Sequence, residues 1–403
     1  MTAFILALLP LVLPLYTVRF CIGPLPTTLL EVLILAALIT WTAARHLTGW
    51  KDAFKNLRRH GWLIPLALWL LAGAIGIVVA PDHIAALGLW RAYFLEPVLI
   101  FVMLADILRT EKEQQILVRS LIVVCVGVAV WAVIQFVTGY GIPAPWNAPP
   151  SGIRATGPFP FPNALALFAV PIAAACFSFV VGAGSPRPGA ETAPLRPTWL
   201  WFGFGSGLVA TVAAKSVGGF LGILAAAFVA LILNKRTRRG AIVTTCVAAA
   251  IMLLVPQIRT PVVHDLSFQD WSGKVRLVMW QESLAMLKDR PLFGAGLGAY
   301  PDVIKPYHHA TWMEIFQYPH DILLNLWTET GILGIVAFAW ILVLWWKRGG
   351  RLALPIIAAI VVHGLVDVPY FKNDLAVMFW ILVAVTTLLP SVIPAKAGIQ
   401  KEK

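Results

Sequence analysis

VRSLIVVCVGVAVWAVIQFVT, residues 118–138, decides the fold class. From Ser120 to Thr138 it carries no charged side chain, and it lacks the alternation of a half-buried strand. A run of about 20 such residues is what a helix needs to cross a hydrocarbon core of about 30 Å. Lipid offers the backbone no hydrogen-bond partners, and a helix satisfies its own.

Working outward, comparable runs occur at 2–18, 25–44, 62–80, 87–108, 160–182, 199–214, 217–233, 241–256, 321–346, 352–368 and 374–390. The sequence therefore predicts an all-α, polytopic integral membrane protein with about twelve transmembrane helices. Composition agrees: 59% of the 403 residues are hydrophobic and only 12% charged, where a soluble domain has about 25% charged. A net charge of +12 raises the possibility of nucleic acid, but the cations lie between apolar runs and read as topology determinants. Loops at 45–59, 109–119, 187–196, 235–239 and 347–351, with the tail 396–403, hold twenty Lys and Arg. The alternate loops, leaving aside 257–320, hold five: Arg19, Arg91, Arg154, Lys215 and Lys372. This asymmetry predicts both termini in the cytoplasm and the long loop outside. The four cysteines have no metal-ligand spacing and read as packing residues. No cleavable signal peptide is read at the start. The Pro/Gly-rich stretch 184–198 is expected to be a flexible connector, and the tail 391–403 disordered.

Ionisable groups at membrane depth are costly and mark candidate sites. Arg154, Lys215, Arg276, His320, Glu329, His363 and Asp367 all map to the outer ends of spans, and Arg91 and Glu96 to the same half. Several cations with few carboxylates fit an anionic, phosphorylated ligand. Arg154 opens the rigid segment RATGPFPFPN (154–163), where three prolines exclude regular helix. An arginine snorkelling to headgroups is the competing reading. Residues 272–289 have helical periodicity with Ser272 as N-cap, and place Arg276 and Trp280 on one face. A helix lying on the membrane surface is the alternative there. GAGLG at 294–298 lacks the preceding strand a nucleotide site needs. His320, next to Asp321 and followed by Glu329, is placed to accept a proton, or else to cap and anchor its helix. His308 and His309 raise a metal, but without the ligand spacing of a zinc motif. His363 and Asp367, four apart, are read as one helical face.

The order of these segments resembles the O-antigen ligase/polymerase superfamily: R-x-T-G-P-F-x-x-P-N at 154–163, R-x-x-x-W at 276–280, D-R-P-L-F-G-A-G-L-G at 289–298, P-H at 319–320, E-x-G-I-L-G at 329–334 and H-x-x-x-D at 363–367. The resemblance implies a GT-C-like membrane fold. It divides the chain into N-terminal helices forming a lipid-facing groove (1–150), a ligase/polymerase-like core (151–390) and the tail. It also implies transfer of a glycan from an undecaprenyl-pyrophosphate carrier to a glycan, lipid or protein acceptor at the outer face of a bacterial inner membrane, with no metal or other cofactor. By position, Arg154 and Arg276 look like the arginines that grip the pyrophosphate, His320 like the histidine near the acceptor, and Asp367 like a late-span carboxylate. Arg91, Lys215, Trp280, Asp321 and Glu329 join them as candidate substrate-binding residues. Two departures stand out: Asp321 where Asn is usual, and Lys215-Ser216-Val-Gly-Gly where Ser-Arg-Gly-like sequences are common.

Ligase and polymerase share this chemistry and differ in acceptor. The single dominant outer loop favours ligase. A secondary transporter is the reading from another class, and would show inverted repeats and midplane sites.

Overall fold

The computed structural model describes residues 2–23, 25–148, 152–182, 195–254 and 267–388. The tail from 391, most of the 184–198 connector and the start of the 257–320 loop, with Arg187, Lys396, Lys401 and Lys403, lie outside the described residues. Helices dominate: α1 (Thr2–Leu11), α2 (Leu29–His60), α3 (Leu63–Val79), α4 (His83–Trp90), α5 (Glu96–Ile107), α6 (Glu111–Thr138) and α7 (Pro162–Gly182). They continue with α8 (Pro197–Ala214), α9 (Val217–Leu233), α10 (Arg238–Leu254), α11 (Trp271–Asp289), α12 (Tyr300–Val303), α13 (Ile322–Gly364) and α14 (Asn373–Thr387). Each predicted apolar run is helical over most of its described residues, and the chain is a helical membrane protein. Among the described residues, five segments are long and apolar enough to cross a bilayer: α2, α4 through α5, α6, α7 and α13. α1, α3, α9 and α14 are apolar but shorter.

The sequence did not predict the one sheet among the described residues. β1 (Arg19–Ile22) and β2 (Leu25–Thr28) pair antiparallel, Arg19 opposite Thr28. β2 occupies the residues expected to begin the second span, and β1 the loop before it. That span starts later because Thr28 caps it: the Thr28 hydroxyl accepts from Glu31 N, and the Glu31 carboxylate accepts from Thr28 N at 2.6 Å. Averaged hydropathy cannot detect strands this short.

Two long helices are broken. α2 breaks at His46 (φ 50°, ψ −149°), where the predicted span ends and a basic segment begins. α13 breaks at Gly331 and Gly350. The second break falls between the two predicted spans, among Lys347, Arg348 and Arg351.

The two ends of the bundle differ in chemistry. Glu31 and Arg45 lie about 21 Å apart along α2 at 1.5 Å per residue. At the Arg45 end, Asp106 accepts from Trp41 Nε1 at 2.8 Å, Arg45 Nε at 3.0 Å and Arg109 Nη2 at 2.6 Å. At the Glu31 end, Arg91 meets Glu31 at 2.8 Å and Glu96 at 3.3 Å. α7 repeats the pattern: Asn163 near its start contacts Asp367, while Ser178 near its end donates to the Leu352 carbonyl at 2.9 Å.

One hydrophobic core joins early and late parts of the chain. Trp69 stacks on Phe94 at 4.6 Å and meets Tyr370 edge-on at 5.2 Å. The Tyr370 hydroxyl accepts from Trp69 Nε1 and Trp380 Nε1 and donates to the Tyr93 carbonyl at 2.9 Å. A buried phenol is thus fully satisfied, and the connector between α13 and α14 is fastened to the core.

The 294–298 turn is a structural wedge. Gly294, Gly296 and Gly298 all have positive φ, and a Cβ on Gly296 would sit 2.5 Å from Ala80 N. Gly298 N donates to Glu329 Oε2 at 2.6 Å, and Ala295 N and Gly296 N donate to the Thr328 carbonyl. Leu292 O accepts from Ile332 N where α13 breaks at Gly331. Replacing Gly296 with Ala therefore adds a φ penalty of about 1–2 kcal/mol to a backbone clash of about 1–3 kcal/mol. We expect Gly296→Ala to melt several degrees below wild type in detergent, and Gly127→Ala, where the Cβ meets nothing within 4 Å, to melt with it. Equal melting of both variants would refute the wedge.

The 300s loop is strapped to α11 by Glu282. His308 Nδ1 lies 3.0 Å from Glu282 Oε2, and His309 N donates to Glu282 Oε1 at 3.1 Å. The Glu282 bond raises the His308 pKa above its ordinary value. A raised folded-state pKa stabilises fully below the unfolded value of about 6.5 and loses that contribution as pH climbs past the folded one. His308→Ala should thus increase proteolysis of this loop at pH 6 and change it little at pH 9. The same increase at both pH values would remove the ionic strap.

Candidate active site

Asp367 is the centre of the site. The sequence placed it one helical turn from His363, but α13 ends at Gly364, so Asp367 stands in the connector and the shared face does not exist. Its carboxylate, 1% exposed, turns toward other elements. Oδ2 accepts from Asn163 Nδ2 at 3.0 Å, and Oδ1 accepts from Val368 N at 2.9 Å and lies 3.4 Å from His320 Nδ1. His363 packs instead where α9 passes closest, its ring 2.9 Å from where a Cβ on Gly218 would be.

Arg154 reaches this group through Asn163, whose Oδ1 accepts from Arg154 Nη2 at 3.2 Å. The guanidinium also donates from Nε to the Ala214 carbonyl at 3.0 Å and lies 5.2 Å from the Trp146 ring centre. The proline-rich entry is held by Ala155 N donating to Ala213 O, so the end of α8 positions it. Lys215 ends α8 in the left-handed conformation, and its ammonium lies 5.8 Å from the Phe136 ring. Ser216 then caps α9.

Arg276 comes from α11, which starts two residues earlier than expected. Asp270, not Ser272, is its N-cap, accepting from Ser272 N and Gly273 N. A carboxylate facing the first turn is favoured by the helix dipole, which leaves the Ser272 hydroxyl to accept from Arg276 Nη1. Arg276 Nε donates to the Val366 carbonyl at 2.9 Å, one residue from Asp367. Burial, and then the charge of Arg276, lowers the Arg154 pKa. Burial also lowers that of Arg276, opposed by Asp367 and Asp270. Both remain charged at physiological pH, since guanidinium does not deprotonate in proteins. Arg154 Nη1 and Arg276 Nη2 have no hydrogen bond among the described residues.

Trp280, on the same face, donates from Nε1 to the Pro319 carbonyl at 3.0 Å. That bond anchors the residue before His320, which adopts φ 49° with Tyr318 and Phe316 rings at 4.8 and 5.7 Å. Asp321 caps α13, accepting from Leu324 N at 2.8 Å, so its carboxylate is spent on the backbone.

Two candidates stand apart from this network. Arg91 is paired with Glu31 and Glu96, and Glu329 holds the glycine wedge. Two residues not singled out from the sequence belong to it: Asn163, and Lys372. The Lys372 ammonium lies 3.8 Å from the Phe161 ring centre with no hydrogen-bond partner among the described residues, and it interacts electrostatically with Asp367. Its signal was present, since Lys372 is one of five cations on the cation-poor side. Beside the 154–163 segment runs an apolar groove of about 790 Å³, lined by Leu15, Val18, Val124, Val128, Trp131 and Phe159 among others.

No curated protein matches the chain. Residues 202–339 match the family described as O-antigen ligase. The matched segment contains Lys215, Arg276, Trp280, His320, Asp321 and Glu329, and excludes Arg91, Arg154 and Asp367. Within that segment lie Arg276 and His320, which the fold brings to Val366 and Asp367. By that match, residues 202–339 are similar to the O-antigen ligase family.

Proposed function

We propose that this protein is a membrane glycosyltransferase that moves a glycan from an undecaprenyl-pyrophosphate carrier to an acceptor hydroxyl at the extracytoplasmic face of the bacterial inner membrane. The observation that carries the reading is the chain Arg154–Asn163–Asp367–His320, with Arg276 on the adjoining carbonyl. Arg154 and Arg276, with Lys215 and Lys372 behind them, hold the pyrophosphate and stabilise the charge it gains in the transition state. Cations of the protein thereby fill the role a divalent metal has in many soluble transferases. The acceptor oxygen attacks the anomeric carbon as the bond to the phosphate oxygen breaks. The bonding electrons leave with the pyrophosphate, and the acceptor proton passes to His320. Since Nδ1 faces Asp367, the base is Nε2, and the carboxylate fixes the tautomer and stabilises the imidazolium. In-line attack inverts the anomeric configuration.

The apolar groove beside residues 156–159 suits a polyprenyl chain leading to the cations. A twelve-span, GT-C-like arrangement with cytoplasmic termini fits the charge bias, counting α13 as two spans. Ligase is favoured over polymerase by the one long outer loop. A secondary transporter fits less well, because the His46 and Gly350 breaks fall among basic residues and the Gly331 break is bonded to Leu292.

Purified protein in nanodiscs, given an undecaprenyl-pyrophosphate glycan and candidate acceptors in EDTA, should transfer. Arg154→Ala and Arg276→Ala should abolish transfer with insertion intact, and His320→Ala should slow it about 10²–10⁴-fold. Wild-type transfer by Arg276→Ala would sink the reading, and the productive acceptor separates ligase from polymerase. Trp280→Phe, which loses the bond to Pro319 and keeps an aromatic ring beside Phe268, should lower kcat about tenfold through misplacement of His320 while leaving donor KM unchanged. A rise in donor KM alone would instead make Trp280 a binding residue.

A further inference from the structure

The far end of the bundle has its own built surface. Past the break at His46, α2 continues to His60 and docks through Gly49, Ala53 and Leu57, a stripe at intervals of four. Asn56 Nδ2 fastens it to the Ala105 carbonyl at 2.8 Å, and Asp52 is taken up by Arg45 and Arg109. The outward face is left with Leu47, Lys51, Phe54, Lys55 and Arg58, and Leu47 and Phe54 are 74% and 49% exposed. Gly61 then turns the chain in the left-handed conformation, and Leu63 at the start of α3 closes the other side. Between them lies a groove of about 530 Å³ lined by Leu47, Trp50, Lys51, Phe54, Lys55 and Arg58 as well as Leu63. That volume falls within the range of about 300–1,000 Å³ typical of ligand sites.

Lys51 and Lys55 are four apart, so they repel on one face, and the groove lining has no carboxylate to offset them. Apolar walls with cations at the rim suit a ligand with an anionic head and a hydrocarbon tail. We propose that this groove binds an anionic glycerophospholipid, its phosphate held by Lys51, Lys55 and Arg58 and its acyl chain lying along Leu47, Trp50 and Phe54. A soluble anion has no use for exposed Leu47 and Phe54, whereas a lipid covers both. The site shares no residue with the proposed catalytic machinery and stands whether or not that proposal does.

The test uses full-length protein in nanodiscs of phosphatidylcholine with increasing phosphatidylglycerol, reading thermal stability and, by native mass spectrometry, retained lipid. Wild type should melt higher as phosphatidylglycerol rises and retain it selectively. Each of Lys51→Gln, Lys55→Gln and Arg58→Gln should weaken retention about fivefold, as expected for one juxtamembrane cation. Lys51→Arg should keep retention, which separates charge from packing. Equal retention of both lipids by wild type would overturn the proposal. So would selectivity that survives the triple glutamine variant, or equal stabilisation by glycerol phosphate in pure phosphatidylcholine.

Discussion

A carboxylate buried among apolar helices must be paired or it destabilises the fold. Asp367 meets that demand with Asn163, its neighbour's amide at Val368 and His320. Satisfying this one side chain draws together the first turn of α7, the entry to α13 and the exit from α13. Three residues on, Tyr370 ties the same connector to Trp69, Trp380 and Tyr93. The Val366 carbonyl that receives Arg276 is therefore fixed from both sides.

How each arginine is held explains why some are suited to an anionic ligand. Arg91 faces two carboxylates, and Arg45 and Arg109 share Asp106 and Asp52, so their charge is largely neutralised locally. Arg154 and Arg276 are oriented by carbonyl, amide and hydroxyl oxygens instead. Such partners set direction without cancelling charge, and the planar guanidinium still has a donor to offer. This distinction separates arginines clasped by carboxylates from two whose charge is left uncompensated by a direct ion pair.

Much of the helical layout was legible because hydropathy is local. Each apolar run is mostly helix, and the basic clusters coincided with the breaks at His46 and Gly350. The β1–β2 hairpin and the Asp270 cap were not legible, since a four-residue strand and a choice between two capping residues depend on neighbours rather than periodicity. At the site, Arg154, Arg276, His320 and Asp367 were visible as costly polar groups in an apolar chain. Asn163 was not, because a neutral amide beside three prolines reads as a turn residue until its two bonds are seen. Glu329 looked like a site carboxylate and is bound to Gly298, a contact across a loop that no spacing rule encodes.

The sequence by itself determined solvent and secondary structure: a chain this apolar belongs in lipid, where the backbone must bond to itself and so forms helices. It also determined which groups were too expensive to be incidental. Only the tertiary structure decided which of them meet. Residues 154, 276, 320 and 367 lie on separate elements, and their convergence depends on where α11 docks and how the segments before α7 and after α13 are held. Those are long-range packing choices made by the Tyr370 cluster and the glycine wedge, beyond the reach of any local pattern.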